Sequence, residues 1–591
     1  MGKKSKAKVR QRQKAVKKAK NILQKGTFKK MNKSKQQSKK SSPVSSKPMQ
    51  KAPSLKGSQK VSYNVAVAQI DTLVGDIAGN TQKIIALIEK ARDQGAQLIV
   101  FPELTITGYP PKGLLSRPDF ADANMQKFIQ IVSACKGITA IFGFVNKVNQ
   151  SLYDAAVCVK DQKIIGIQNK MHLVTHIGQR KYFTEGTSAT IMHTGTQRIG
   201  IIIAKQHEEE TAVEQLVVNG IDLLVWISAS SYAVEKNMEP YGILLAKKHQ
   251  IPVVYCNAAG AQENLIFDGG SFVVDKQGLV LARGKRFSED LLFADLSKTG
   301  TSFTPAKDQT ADVYQALTLG IRSYFIKTGH AKAVIGISGG IDSAVTAALA
   351  VHALGKENVF GLVLPSKITS KESLQDAKKI CGNLGIAWKQ INIDPLVLSA
   401  SRAVGVAYDK KNISFVEQNI QTRTRAQLLM DFANKNNALL LASVNKTDIA
   451  TGYFTMYGEP TGALAPLGDL WKSQIMMLAG YMNSANKQKS KLIPDSVLKK
   501  QPSQELRPNQ KDSDDLPSYD VLDKILQLYV VHKKDVHEIT QMGFDGELVR
   551  KVAFMVTKSE FKRKQIPTVL RVSSCAFDSC WNVPSVSGWR G

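Results

Sequence analysis

The stretch AVIGISGGIDSAVTAALAVHALG, residues 333–355, constrains this chain more than any other part of it. AVIGI reads as a short buried strand, SGGIDS as a tight glycine turn, and the remainder as a helix stopped by Gly355. A strand that feeds a helix through such a turn opens a parallel, doubly wound α/β sheet. The turn also carries chemistry. Gly339 and Gly340 let backbone N–H groups approach phosphate oxygens, and the following helix points the positive end of its dipole at them. Gly336 belongs to the same candidate ATP-binding set, and Ser338 and Ser343 can add hydroxyl donors. Asp342 cannot help a bare anion, so its position predicts a magnesium ion bridging carboxylate and phosphate. The turn lacks the GK[ST] ending of a loop built for γ-phosphate transfer and is better suited to gripping a pyrophosphate.

At 591 residues the chain exceeds one hydrophobic core, so at least two domains are expected. VFGLVLP, AWKQINI and ALLLAS continue the strand series after residue 355. Upstream, VSYNVAVAQI, QLIVFPEL, TAIFGFV, AAVCV, KIIGI, RIGIIIA, IDLLVWISAS and PVVYCNAAG read as strands with helical patterns between several of them. FDGGSFVV and GLVLAR resemble a closing hairpin, and SKTGTSFTPAKDQ reads as a linker. The expected division is a tail at 1–60, an α/β layered domain at 61–300 and a doubly wound domain at 310–591. The tail holds 21 Lys or Arg and no acidic residue, which leaves +10 of the chain's net charge of +31 for all the rest. With Phe28 as its one aromatic it is expected to be disordered, and any RNA or polyanion contact is expected there. No apolar run approaches the roughly 18 residues of a membrane span, and a cytoplasmic, homo-oligomeric protein is expected. Six scattered cysteines without a CxxC pair predict a reducing compartment, with neither a disulfide framework nor a zinc site.

SGGIDS resembles the signature of the ATP pyrophosphatases. LPSKITSKESLQDAKKICGNLGI, VEQNIQTRTRAQLLMDFANK, LLASVNKTDIATGYFTMYGEPTGALAPLGDLWKSQ, PSQELRPNQKDSDDLPSYDVLDKIL and SEFKRKQIP follow it in order. Together they resemble the synthetase domain of the glutamine-dependent NAD synthetase family over roughly 310–585. That resemblance implies that the nicotinate carboxylate of deamido-NAD is adenylylated from ATP and then attacked by ammonia. It also implies that Ser443 contacts ATP, that Asn419, Arg423, Asp448 and Lys562 bind deamido-NAD, and that Lys446 and Lys472 neutralise phosphate charge. Asp342 and Asp448 are the implied metal ligands. The chain departs from the family pattern at Val444, where glycine is usual, at Asp448 and Gln418, where glutamate is usual, and at Glu459, which replaces aspartate. Val444 would not be comfortable at a positive φ.

Residues 61–295 resemble a nitrilase-type glutaminase, with FPELTITGYPP close to that family's first signature. The resemblance implies Glu103 as general base, Lys170 as oxyanion stabiliser, and Ser230 and Lys236 as glutamine contacts. Where the family strand runs into cysteine–glutamate–aspartate, this chain has Ala204, Lys205 and Gln206. The stretch 173–183 is also shortened by two residues, and PPKGLL lacks the usual acidic pair. A methyl group cannot form a thioester, so the expected nitrogen source is free ammonia rather than glutamine. Cys158 and Cys256 fall in strands and read as structural, and His176 and His207 read as surface residues. The competing readings are a glutamine-hydrolysing enzyme with a relocated nucleophile, a non-catalytic nucleotide-binding protein and an RNA-associated protein acting through its tail.

Overall fold

The computed structural model describes residues 62–174, 178–205, 209–302, 308–406, 413–486 and 491–588. The expectations for the tail at 1–60 and for His176, Gln206 and His207 lie outside the described residues. The chain divides into two compact units.

The first unit is built on two six-stranded sheets. In one, β14 (Asp290–Asp295), β1 (Asn64–Gln69), β2 (Leu98–Val100), β3 (Thr139–Val148), β4 (Ser151–Lys160) and β5 (Lys163–Asn169) lie side by side in that order. In the other the order is β13 (Val280–Arg283), β12 (Phe272–Val274), β9 (Val253–Asn257), β8 (Leu223–Ser228), β7 (Arg198–Ile203) and β6 (Ile191–His193). Side-chain alternation sorts the residues into layers. Val65, Val67, Val100, Ile141 and Cys158 pack with Ile201, Ile203, Val225, Ile227 and Cys256 in one buried cluster that joins the two sheets. The opposite face of the first sheet (Ala66, Ala68, Phe101, Phe142, Phe144) takes Ile84 and Ile88 of α1 (Ile77–Asp93) and Phe128 and Ile131 of α2 (Pro118–Ala134). The opposite face of the second sheet (Leu224, Trp226, Tyr255, Phe272) takes Val213 and Leu216 of α3 (Glu210–Val218) and Leu245 of α4 (Glu239–His249). Strands covered on both faces read as continuous apolar runs, which is why LLVWIS shows no alternation. The expected closing hairpin is present as the antiparallel pair β12–β13.

The second unit includes two short stretches, 231–237 and 259–268, that fall between elements of the first in sequence. The latter is the hairpin of β10 (Ala259–Gln262) and β11 (Leu265–Asp268). After α5 (Gln309–Lys327) comes a fully parallel sheet ordered β17 (Ala387–Gln390), β16 (Val359–Val363), β15 (Lys332–Gly336) and β18 (Ala438–Leu440). The α6 helix (Ile341–Leu354) lies against β15 and β16, with α7 (Lys371–Leu384) beside it. On the other face α8 (Asp394–Ala403) and α9 (Phe415–Lys435) close a core of Val334, Leu362, Val397, Ala433 and Leu440. The chain moves outward from β15 to β17 and then returns to the other side of β15. The strand order therefore reverses between β15 and β18, the place where such sheets open a crevice at their carboxyl ends.

One sequence expectation is corrected in this unit: Cys575 and Cys580, with Cα atoms 5.0 Å apart, are joined in a disulfide. Cysteine spacing alone did not reveal it, because a single short loop leaves no framework pattern. Among the described residues no helix is long and apolar enough to cross a membrane.

Candidate functional site

At the reversal point of the parallel sheet lies a cavity of about 310 Å³. The turn after β15 forms one wall and the segment after β18 another. Gly336, Ser338, Gly340, Asp342 and Ser343 all line it, and so do Ser443, Asp448 and Lys472. Gly339 has φ +83°, and a Cβ there would stand 2.2 Å from the Ser373 carbonyl oxygen, so no other residue fits the turn. The two serines hold the turn's shape: their hydroxyls lie 3.1 Å apart, and Ser343 Oγ donates to the Gly340 carbonyl at 3.0 Å. Gly340 is the N-cap of α6, so the helix presents its first, unsatisfied N–H groups to this wall.

Charge gathers beside the turn. Lys472, at the start of α11 (Lys472–Ala485), places Nζ 2.5 Å from Asp342 Oδ2, and Asn445 donates to Asp342 Oδ1 at 3.4 Å. Asn445 also caps α10 (Lys446–Thr451), with Asp448 returning the bond in a capping box. Burial raises the Asp448 carboxyl well above the usual range; Lys472 opposes this, while Asp342 and Asp512 add to it. Asp512 is likewise raised by burial, accepts from the Tyr519 hydroxyl at 2.7 Å, and keeps Oδ1 buried without a hydrogen-bond partner among the described residues. Three acidic side chains thus face one ammonium, hard oxygen donors of the kind that hold Mg²⁺. Among the described residues no three ligating side chains form a ready-made metal cage.

The other sequence candidates separate. Lys446 is not brought to the cavity. Its Nζ is buried against Asp469 Oδ1 at 2.7 Å, Ser573 Oγ at 2.9 Å and the Cys575 carbonyl at 2.8 Å, so it is a structural cation rather than a phosphate ligand. Lys446→Met, which strands the Asp469 carboxylate, is expected to destabilise the unit by about 3–5 kcal/mol; a denaturant midpoint unchanged from wild type would refute this. Asn419, Arg423 and Lys562 converge instead on the segment 452–459. Asn419 Oδ1 accepts from Thr455 Oγ1 at 2.8 Å, Arg423 donates to the Met456 carbonyl at 3.2 Å, and Lys562 donates to the carbonyls of Gly452 and Phe454 at 2.7 and 2.8 Å. Tyr453, Phe454 and Glu459 of that segment line the cavity, so these three residues support its wall from behind. Val444 is buried and is not among the residues with positive φ, so the glycine-to-valine departure carries no backbone strain.

Sequence reading passed over Arg425, Asp512 and Glu505, all of which line the cavity. Arg425 is half-buried and donates to the Leu364 carbonyl at 3.0 Å. Helical spacing carried the signal: Thr422, Arg425, Ala426 and Leu429 share the cavity face of α9, whereas Arg423 is turned outward. Glu505 accepts from Ser370 Oγ at 2.8 Å and Ser373 Oγ at 2.5 Å, at the head of α7.

In the first unit Glu103 sits on an elbow after β2, where Gly143 is required because a Cβ would meet Leu104 N at 2.3 Å. Glu103 and Lys170 form a fully buried pair at 2.7 Å, and Ala229 N donates to Glu103 Oε2 at 3.0 Å. Burial would raise the Glu103 carboxyl, but the Lys170 ammonium and these hydrogen bonds hold it down at about 2. Asp154, unremarked in the sequence, stands 3.9 Å from Lys170 Nζ and is pushed well upward by burial and by Glu103. Ala204 follows β7 fully buried, and its carbonyl accepts from Trp226 Nε1 at 2.9 Å. Ser230 N donates to Asn257 Oδ1 at 2.8 Å, while Lys236 belongs to the second unit and donates to the Ser231 carbonyl at 3.0 Å. Cys158 and Cys256 are buried between the sheets, the first raised by burial to about 12 and the second well above the ordinary thiol value, so neither supplies a thiolate.

Residues 64–305 match the carbon–nitrogen hydrolase family and residues 313–566 the NAD synthase family. The glutamine-dependent NAD(+) synthetase of Acinetobacter baylyi is 34% identical over 539 residues, covering 90% of this chain and 99% of that protein. The one from Thermotoga maritima is also 34% identical, covering 89% of this chain and 99% of its own. The solved glutamine-dependent NAD+ synthetase of Acinetobacter baumannii in complex with ADP superposes with a TM-score of 0.71 at 33% identity, over 89% of this chain and 99% of that one. A Cytophaga hutchinsonii structure shares the fold at a TM-score of 0.77, with 19% identity over 89% of this chain and 98% of its own. With matches that run nearly end to end through the described part, the chain belongs to the glutamine-dependent NAD(+) synthetase family, the carbon–nitrogen ligases that join an amidase-like domain to a synthetase domain.

Proposed function

We propose that this enzyme converts deamido-NAD to NAD with ATP and free ammonia, releasing AMP and pyrophosphate. In this reading residues 61–300 are a retained but inactive amidase-like domain and 310–591 the working synthetase. The observation that carries the synthetase part is the cavity at the strand reversal, where the glycine turn, the N-terminus of α6 and the Asp342–Lys472 pair meet. The nicotinate carboxylate oxygen attacks the α-phosphorus of ATP and pyrophosphate leaves; ammonia then adds to the acyl carbon and AMP leaves. Gly339, Gly340 and the first turn of α6 hold the departing pyrophosphate through backbone N–H groups. Lys472 neutralises phosphate charge, Ser443 lies beside the nucleotide, and Arg425 offers a half-buried cation on the cavity wall. Mg²⁺, held by Asp342 and Asp448, supplies charge neutralisation on the phosphates when bound. The absence of a nucleophile at Ala204, and the burial of Cys158 and Cys256, support ammonia as the nitrogen source.

The assay is NAD formation from deamido-NAD, ATP and ammonium, with both nucleotide products identified. AMP and pyrophosphate are expected in equal amounts, and ADP with phosphate would refute the reading. The chain lacking residues 1–60 is expected to keep the same rate while losing salt-sensitive polyanion binding; a collapse in rate would make those residues part of the catalytic fold.

A further inference from the structure

The disulfide of the second unit sits in the strip of chain that holds α10 at both ends. On one side of the bond the Cys575 carbonyl accepts from Lys446 Nζ, at the head of α10, at 2.8 Å, and Ser573 Oγ accepts from it at 2.9 Å. On the other side Trp581 Nε1 donates to Glu560 Oε2 at 3.1 Å. Glu560 pairs with Arg563 at 2.7 Å, and Arg563 donates to the Ile449 and Ala450 carbonyls of α10 at 3.2 and 2.8 Å. The two struts are joined at Cys575 and Cys580, and the helix they hold carries Asp448 on the cavity wall. The bond is open to attack from one end. Cys580 is half-buried in a loop whose Ser574 and Asp578 are exposed, whereas Cys575 is 5% exposed. Lys533 Nζ donates to the Cys580 carbonyl at 3.2 Å, so a cation stands beside the cysteine that an incoming thiolate meets first. Cys575 Sγ lies 3.7 Å from the Val530 carbonyl oxygen, an acceptor for its thiol once the bond is broken. Cys135, Cys158, Cys256 and Cys381 are buried, and burial raises all four thiols, so exchange is confined to this pair.

We propose that the Cys575–Cys580 disulfide is a reversible redox latch on the synthetase cavity, opened by a dithiol reductant and closed by re-oxidation, with slower ligase turnover in the open form. This rests on the reading of 310–591 as the working synthetase. One thiolate of the reductant attacks Cys580 Sγ, and the Cys575–Cys580 bond breaks as the new S–S bond forms. Cys575 leaves with the electron pair and takes up a proton. The reductant's second thiolate then attacks its own bonded sulfur, which releases Cys580 as a thiolate that is protonated from water. The reductant has lost two electrons and become a disulfide, and the two cysteines hold those electrons as thiols. With the cross-link gone the two struts move independently, so the seat of α10, and Asp448 with it, is less fixed. The middle of α10 stays pinned by Thr447 Oγ1, which donates to Asp523 Oδ1 at 2.6 Å, so the unit remains folded.

The test takes the full-length protein after oxidation with glutathione disulfide or reduction with dithiothreitol. Alkylation with N-ethylmaleimide under denaturing conditions, read by mass, is expected to label four cysteines in the first state and all six in the second. Reduction is expected to raise amide exchange over 446–451 at least about tenfold and to lower kcat for NAD formation from ammonium at least about threefold. Both changes are expected to reverse on re-oxidation. Cys580→Ser is expected to show the reduced-state values and to ignore dithiothreitol, and the double variant Cys575→Ser, Cys580→Ser gives the same readout without an unpaired thiol. Six labelled cysteines after oxidation overturn the proposal. So do equal exchange over 446–451 in the two states and a dithiothreitol effect that survives in Cys580→Ser. Equal turnover in the two states refutes the latch and leaves the synthetase reading intact. No NAD in either state, with exchange over 446–451 still switching, counts against the synthetase reading and keeps the latch.

Discussion

NAD forms with ammonium as the nitrogen donor and fails to form with glutamine at the same concentration, the two rates differing by at least about 10³-fold. That is the expected result, and it follows from the covalent route that amide hydrolysis takes in this architecture. The first step needs a lone pair on the group at position 204, and Ala204 has none to give. Glu103 and Lys170 survive as an intact buried pair, but a base and an oxyanion partner without a nucleophile retain only a small residue of the catalysis. No neighbouring thiol takes over, since Cys158 and Cys256 are sealed between the sheets and held protonated. Ala204→Cys alone is expected to recover little, because Lys205, Gln206 and the shortened 173–183 stretch also depart from the family pattern. Glutamate released from glutamine as fast as NAD is made, and abolished by Cys158→Ser or Cys256→Ser, would defeat this account.

Asp342→Asn is expected to lower ligase turnover by at least about 10²-fold while leaving the protein folded. The substitution keeps shape and removes one negative charge. It costs the contact with Lys472 Nζ and a hard oxygen at the point where Mg²⁺ and phosphate charge would be balanced. Folding survives because Lys472 is also held electrostatically by Asp448 and Asp512. With Asp342 neutral, burial and Asp512 still hold the Asp448 carboxyl above its usual range. Turnover and ATP–pyrophosphate exchange measured beside circular dichroism separate the two effects. Full activity in a folded variant would remove Asp342 from the mechanism.

The layered first unit and the parallel second sheet could be read in advance, because the short apolar run in NVAVAQ and the strand–turn–helix at 333–355 are local patterns with local causes. The glycine turn and Asp342 belong to that local pattern, Ser443, Asp448 and Lys472 came from the resemblance of longer motifs, and all of these except Gly339 line one cavity. Lys446 was not. In sequence it resembles Lys472, and what separates them is Asp469 and the 573–575 segment, partners that no local pattern records. Arg423 was preferred to Arg425 on its place in a motif, although the two point to nearly opposite sides of α9 and only the second shares the face of Thr422 and Leu429.

The three bonds to Lys446 also impose an order in time. A ribosome makes this lysine 127 residues before Ser573 and 129 before the carbonyl of Cys575, yet its ammonium is satisfied only when both have arrived. Until then α10, which opens with Lys446 and carries Asp448, starts from an unsatisfied charge in what must become a dry interior. The Asp469 partner comes 23 residues after the lysine, whereas the other two bonds join segments far apart in sequence. The buried ammonium at the head of α10 is therefore fully bonded only after the 573–575 segment has been made.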